Sequence, residues 1–189
     1  MRYSHTHKAE TRLRIVDEAA RRFRRDGVAG TGLVPLMKAL GMTHGGFYAH
    51  FPSKEALVEA SLGAAVESLN EQWQDPLAPE QLRGFLAAYL APGHRDNPGE
   101  GCPLPSLCAE LGLRGQPSAA SDGLALRMAK RLRDCTLGEA GEDQGLVTLA
   151  ALVGALTLSR AVADPALSAR ILGAVHAAVQ PPLEVSPQG

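Results

Sequence analysis

The chain has 189 residues, of which 45% are apolar, 21% charged and 4% aromatic, and its formal net charge is −1. That balance excludes a disordered chain and gives enough apolar material for one medium domain or two small ones. It also excludes a protein that coats nucleic acid over its whole surface.

The average hides an asymmetry. Residues 1–60 hold ten Lys/Arg against six Asp/Glu, a balance of +4, together with four of the six histidines. The remaining residues hold nine against fourteen, a balance of −5. A basic head on an acidic body is the charge footprint of a nucleic-acid module joined to a non-binding domain. The first 25 residues alternate charged and apolar types without an apolar core, so no signal peptide is expected. The longest apolar stretch, Leu146 to Leu158, falls short of the ~20 residues of a membrane span and predicts a buried helix. Cys102, Cys108 and Cys135 are odd in number and form no CxxC pair, so no disulfide framework is expected. The expectation is a cytoplasmic protein with no membrane partner.

Apolar spacing is helical almost throughout. Between Thr11 and Asp26, Leu13, Val16, Ala20 and Phe23 recur at one-face spacing, and Gly27 is placed to stop the helix. Leu33, Leu36, Met37 and Leu40 mark a two-turn helix with Pro35 in its first turn, ended by Gly41. Thr43 is placed to cap a short run from His44 to His50. Ser53 caps a longer helix whose inner face carries Val58, Leu62, Ala65, Val66, Leu69 and Trp73. After the break at Asp75 to Pro79, helices are expected at about 79–91, 103–113, 118–137, 145–163 and 166–179, with a frayed tail at 181–189. The fold class is all-α, with about nine helices. Residues 1–54 are the expected head and 55–189 the body, with the helix at 53–73 connecting them.

Helix, Gly41-Met42-Thr43 turn and short helix together make a helix-turn-helix, whose second helix can enter the major groove of DNA. Thr43 and His44 stand at its amino terminus. Gly45 and Gly46 follow, each costing ~1 kcal/mol of helix propensity relative to alanine, and a use for them is close approach of the backbone to DNA. Phe47 should face inward on Leu36 and Leu40. Tyr48 and His50 are candidate phosphate donors, with Tyr48 as a packed core residue the alternative, and Lys54 adds a charge nearby. Arg2, Lys8 and Arg12 read as a solvated, disordered arm, with a groove-reading arm the alternative.

The segment Thr43-His-Gly-Gly-Phe-Tyr-Ala-His-Phe-Pro-Ser-Lys-Glu-Ala-Leu57 resembles the recognition-helix signature of TetR/AcrR-type transcriptional repressors. The likeness runs back through Thr31 and Gly27 to the helix starting near Arg12, about 50 residues in all. The resemblance implies a three-helix DNA-binding head, a ligand-binding all-α body, and a homodimer formed through the last two helices. It assigns the DNA contacts to Thr31, Thr43, His44, Tyr48, His50 and Lys54, beside the backbone approach at Gly45 and Gly46. Position 44 is often Lys or Arg in such proteins; histidine there implies weaker phosphate attraction at high pH.

The resemblance further implies a small-molecule cavity, with Trp73, Phe85, Tyr89, Cys102, Leu104, Leu107, Leu111 and Met128 as candidate walls. Cys102 precedes Pro103 at an expected helix start, where a thiol gains reactivity. A Gly-Cys here also resembles family members that sense electrophiles or oxidants; an inert core cysteine is the alternative. Ala150 and Gly154, with Leu146 and Leu158, and Ile171, Ala174 and Ala178 leave the last two helices apolar on more than one face. A dimer interface through those residues follows.

The expected function is a ligand-responsive repressor binding a near-palindromic double-stranded DNA operator as a homodimer. A thiol-dependent enzyme using Cys102 is the competing reading. Against it, only His94 lies near in sequence and no carboxylate pair appears. No cofactor is expected. No metal site is expected either, because His5 and His7 form the one close histidine pair.

Overall fold

The computed structural model describes residues 2–72, 78–134, 141 and 143–180. Among them are ten α-helices, one 3-10 turn and no strand. Trp73, Cys135, the tail 181–189 and the side chain of Leu69 lie outside the described residues, as do most of the breaks at 75–79 and 138–141. The chain divides into two compact units, Met1–Gln72 with Asn97–Leu124, and Trp73–Asp96 with Ala125–Gly189.

The first unit begins with α1 (Arg2–Gly30), which breaks at Gly27, where φ is +75°. No glycine or proline interrupts residues 2–26, so the helix continues through the stretch expected to be a disordered arm. Its inner face is Ile15, Val16, Ala19 and Phe23, all buried, while Leu13 is 62% exposed. Leu13 fits the period but sits at the edge of the stripe; Ile15 and Ala19 define its centre. Next come α2 (Leu33–Ala39), α3 (His44–Phe47) and α4 (Lys54–Gln72), and α4 packs along α1 through Leu57, Val58 and Leu62. Ala65 and Val66 are only half-buried.

The 3-10 turn Pro98–Glu100 and α7 (Leu104–Leu113) also pack on α1. Gly99 permits the approach, since a Cβ there would lie 3.3 Å from Arg21 Cγ. Arg24 Nε donates to the Gly99 carbonyl at 2.7 Å, and Ser106 Oγ donates to the Arg24 carbonyl at 2.7 Å.

In the second unit are α5 (Pro79–Tyr89), α6 (Pro92–Asp96), most of α8 (Ala119–Asp134), α9 (Gln144–Ala161) and α10 (Pro165–Val179). Pro92-Gly93 reads in sequence as a break, yet it opens α6, because proline is compatible with a first helical turn. Arg160 on α9 caps that helix, donating from Nε to the Arg95 carbonyl at 2.9 Å and from Nη2 to the His94 carbonyl at 2.8 Å. α9 packs on α10 through Leu149, Leu152, Leu156 and Ser159, and Ser168 Oγ donates to the Ser159 carbonyl at 2.7 Å. Gly145 lies directly against the Ala129 carbonyl of α8, leaving no room for a Cβ.

At 18 residues, α9 is longer than its apolar stretch suggests, and by length and composition alone it could cross a membrane. A third of it is buried and one face is committed to α10.

Candidate nucleic-acid interface

The turn between α2 and α3 needs one left-handed residue, and Gly41 supplies it at φ +72°. Gly41 N donates to Lys38 O at 3.0 Å and Met42 N to Met37 O at 2.9 Å, closing α2. Thr43 is extended and caps α3 as expected, its hydroxyl accepting from Gly46 N at 3.3 Å. α3 is a single turn, shorter than the run expected to His50; the chain then tightens, with His50 N donating to Phe47 O at 2.9 Å. Phe47 is fully buried and stacks on Phe51 with centroids 5.7 Å apart. It shares its core with buried Leu36 and Met37, whereas Leu33 and Leu40 are half-buried.

This inward anchor turns the opposite face of α3 to solvent. Thr43, His44 and Gly45 are exposed, and Tyr48 is 56% exposed, which removes the core alternative for its ring. The rings of His44 and Tyr48 meet edge to face at 5.5 Å. A Cβ at Gly45 would meet nothing within 4 Å, and one at Gly46 would make only an ordinary contact with Thr43 Oγ1 at 3.5 Å. Neither glycine is demanded from inside the protein. Their helix-propensity cost therefore has no reason in the packing of α3 itself.

Not every expected contact residue faces outward. Thr31 is 2% exposed and its hydroxyl donates to the Gly27 carbonyl at 2.7 Å, so it closes the end of α1 and presents nothing to a groove. Lys54 is half-buried; burial, and then the nearby Arg114, holds its ammonium below the usual lysine range. His50 is half-exposed, with its imidazole held below the usual range by burial and by Lys8, Arg12 and His7.

Sequence reasoning passed over Glu110 entirely. Its carboxylate on α7 accepts from Val28 N at 2.6 Å and Ala29 N at 2.7 Å, and it pairs with Arg114 at 3.1 Å. It caps the turn that follows the break in α1, just ahead of α2. A lone acid in an apolar helix gives no signal of a partner 82 residues away.

The candidate cavity residues fall in both units. Cys102, half-buried, and Leu104, Leu107 and Leu111, all buried, lie in the first; Phe85, Tyr89 and Met128 lie in the second. Phe85 and Tyr89 have ring centroids 5.6 Å apart. Pro103, not Cys102, occupies the cap position of α7, one residue later than expected. Arg24, its guanidinium held below the usual range by burial, has Glu100 and Cys102 as neighbours. On α9, Leu146, Ala150 and Leu158 are exposed and Gly154 half-buried; on α10, Ala174 and Ala178 are exposed and Ile171 half-buried.

A capped one-turn helix, anchored by a buried phenylalanine and opened to solvent by glycine, has the form of a helix-turn-helix recognition element. Residues 15–61 match the family model for bacterial regulatory proteins of the tetR family. The helix-turn-helix head of the chain is thus similar to that of tetR-family regulators. It is 29% identical over 114 residues to the HTH-type transcriptional regulator LmrA of Bacillus subtilis, covering 57% of this chain and 61% of that protein. With TtgR of Pseudomonas putida it shares 41% over 59 residues, 31% of this chain and 28% of that one. The chain thus spans less than two thirds of the length of either relative.

Among solved structures, a TetR transcriptional regulator from Chloroflexus aurantiacus is 26% identical with a TM-score of 0.66, covering 93% of this chain and 94% of that one. The reduced form of Escherichia coli NemR has the same fold, with 23% identity and a TM-score of 0.68, covering 90% of this chain and 95% of that one.

Proposed function

We propose that this protein is a cytoplasmic, ligand-responsive repressor that binds a near-palindromic DNA operator as a homodimer, with residues 1–54 as its DNA-binding head and 55–189 as its effector and dimer domain. The observation that carries the reading is the solvent-facing side of α3, where Thr43, His44, Gly45 and Tyr48 are exposed around glycines the protein itself does not require. Thr43 and His44 read base edges; Tyr48, His50 and Lys54 hold phosphates. The i, i+4 stripe Leu146, Ala150, Gly154, Leu158 on α9, with Ile171, Ala174 and Ala178 on α10, supplies an apolar face suited to a second copy. Two-fold symmetry then calls for half-sites about one turn of DNA apart or slightly more. An effector held in the body shifts the population toward a conformer whose heads no longer match that spacing. Selection of bound fragments from randomised DNA tests this. An enriched palindrome supports the reading, and no enrichment refutes it.

A second reading concerns the effector. The solved NemR is described in a reduced form, and here Cys102 has the half-buried Arg24 guanidinium as a neighbour, an environment that favours reactive thiols. The Cys102 thiolate would add to the electrophilic carbon of an unsaturated carbonyl, whose α-carbon takes its proton from water. A Cys102→Ser protein that still releases DNA on treatment with such an electrophile disproves it.

A further inference from the structure

The amino-terminal part of α1 carries a group of cations that the helix-turn-helix alone does not account for. Lys8 and Arg12 stand four residues apart on a continuous helix and therefore share a face. Arg12 is fixed against the end of the recognition segment, its Nη1 donating to the His50 carbonyl at 2.9 Å and its guanidinium lying 4.0 Å from the centre of the Phe51 ring. His7 and Lys8 are exposed beside it. The buried Nδ1 of His50 makes no hydrogen bond among the described residues, so no internal partner holds that nitrogen.

We propose that His7, Lys8, Arg12 and His50 form one seat for a DNA backbone phosphate, making the amino-terminal turns of α1 part of the DNA interface. The inference rests on the reading of the chain as a DNA-binding regulator. Charge is its physical basis. The charged groups acting on His50 are Lys8, Arg12 and His7, all from α1, and each opposes its protonation, as burial does. No carboxylate is among the groups that act on it. Lys8 and Arg12 oppose positive charge at His50, and an arriving phosphate offsets that repulsion. Arg12 is already immobilised by the His50 carbonyl and the Phe51 face, so little ordering is left for binding to impose.

Proton uptake follows. In the free protein His50 titrates below its usual range; with a phosphate in the seat the imidazolium is favoured, so its pKa in the complex is higher. Between those two values DNA binding takes up a proton at His50, and affinity falls as pH rises through that window.

The test uses the full chain and a labelled duplex of mixed sequence, with anisotropy followed against salt and pH. Wild type should show log K falling linearly with log salt. Lys8→Gln should reduce that slope by about 0.9, the share of one phosphate contact, while leaving thermal stability unchanged. His50→Gln should flatten the pH dependence of affinity relative to wild type, and His44→Gln should leave the His50 component in place. An unchanged salt slope in Lys8→Gln, with wild type binding normally, overturns the seat alone. Absence of salt-dependent binding by wild type overturns the DNA-binding reading and the seat with it.

Discussion

At Gly45, stability and function make opposite demands. Its Cβ position is open, so alanine there enters no clash and gains up to ~1 kcal/mol of helix propensity. The added methyl also stands on the exposed face of α3, which the proposed function sets against DNA. Gly45→Ala should therefore raise the melting temperature slightly while weakening DNA binding at least several-fold. A variant that gained stability and kept full affinity would remove the argument for backbone approach. Residues of this kind are legible in sequence because they break a local rule, as two glycines in a short helix do. Thr43 and Phe47 are legible because they obey one. Thr31 was not, since only the chain reversal after Gly27 brings its hydroxyl within 2.7 Å of that carbonyl. Leu13 misled for a different reason: a one-face count fixes the period of a helix but not which edge of the stripe reaches solvent.

Between elements, the main device is the Glu110 clasp. The break at Gly27 leaves the amide groups of Val28 and Ala29 without helical acceptors, and the α7 carboxylate takes both. Gly27 is required by its φ of +75°, and a Cβ there would also press on Glu110 Oε2 from 2.8 Å. Glu110→Ala should cost about 1–3 kcal/mol, since it strands two donors and a charge-assisted bond is lost at each. In a chain of this length that is a drop of several degrees in melting temperature, measurable by circular dichroism. An unchanged melt would show that water serves the two amides as well. The end of α2 at Gly41 and the start of α4 at Ser53 could be read from breaker and cap. α6 could not, because proline followed by glycine signals a break until Arg160, 65 residues further along, is seen capping its carbonyls.

For the molecule as a whole, two expectations can be measured. Leu158 is 56% exposed on the outward stripe of α9, and the proposed dimer would bury it against a second copy. Leu158→Asp should give a folded monomer at micromolar concentration in sedimentation, with operator affinity largely lost. A monomeric wild type would refute the dimer directly. Stability should also depend on pH. Burial holds the His94 imidazole below its usual value of about 6.5, against an opposing contact with the Tyr89 carbonyl at 2.7 Å, and Arg160 adds to the lowering. The unfolded chain therefore binds more protons here, so this stability is present in full above about pH 6.5 and is lost as pH falls through the folded-state value. His50 acts in the same direction. His94→Gln should flatten the melting profile over that range. The charge division at residue 60 was readable from the sequence alone, whereas pairings between distant segments are a property of the folded chain.

One consequence of the Glu110 clasp concerns modularity. A helix-turn-helix head is commonly treated as a cassette that can be moved from one body to another. Here the carboxylate that finishes the head comes from α7, and Ser106 and Gly99 bind the same end of α1 through Arg24. A chimera cut after residue 54 would leave behind the acceptor for Val28 and Ala29 unless the recipient body offers an acid at the matching place. Transplanting this head with its geometry intact therefore means carrying residues 97–124 along with it, so that the exchangeable cassette is discontinuous in sequence.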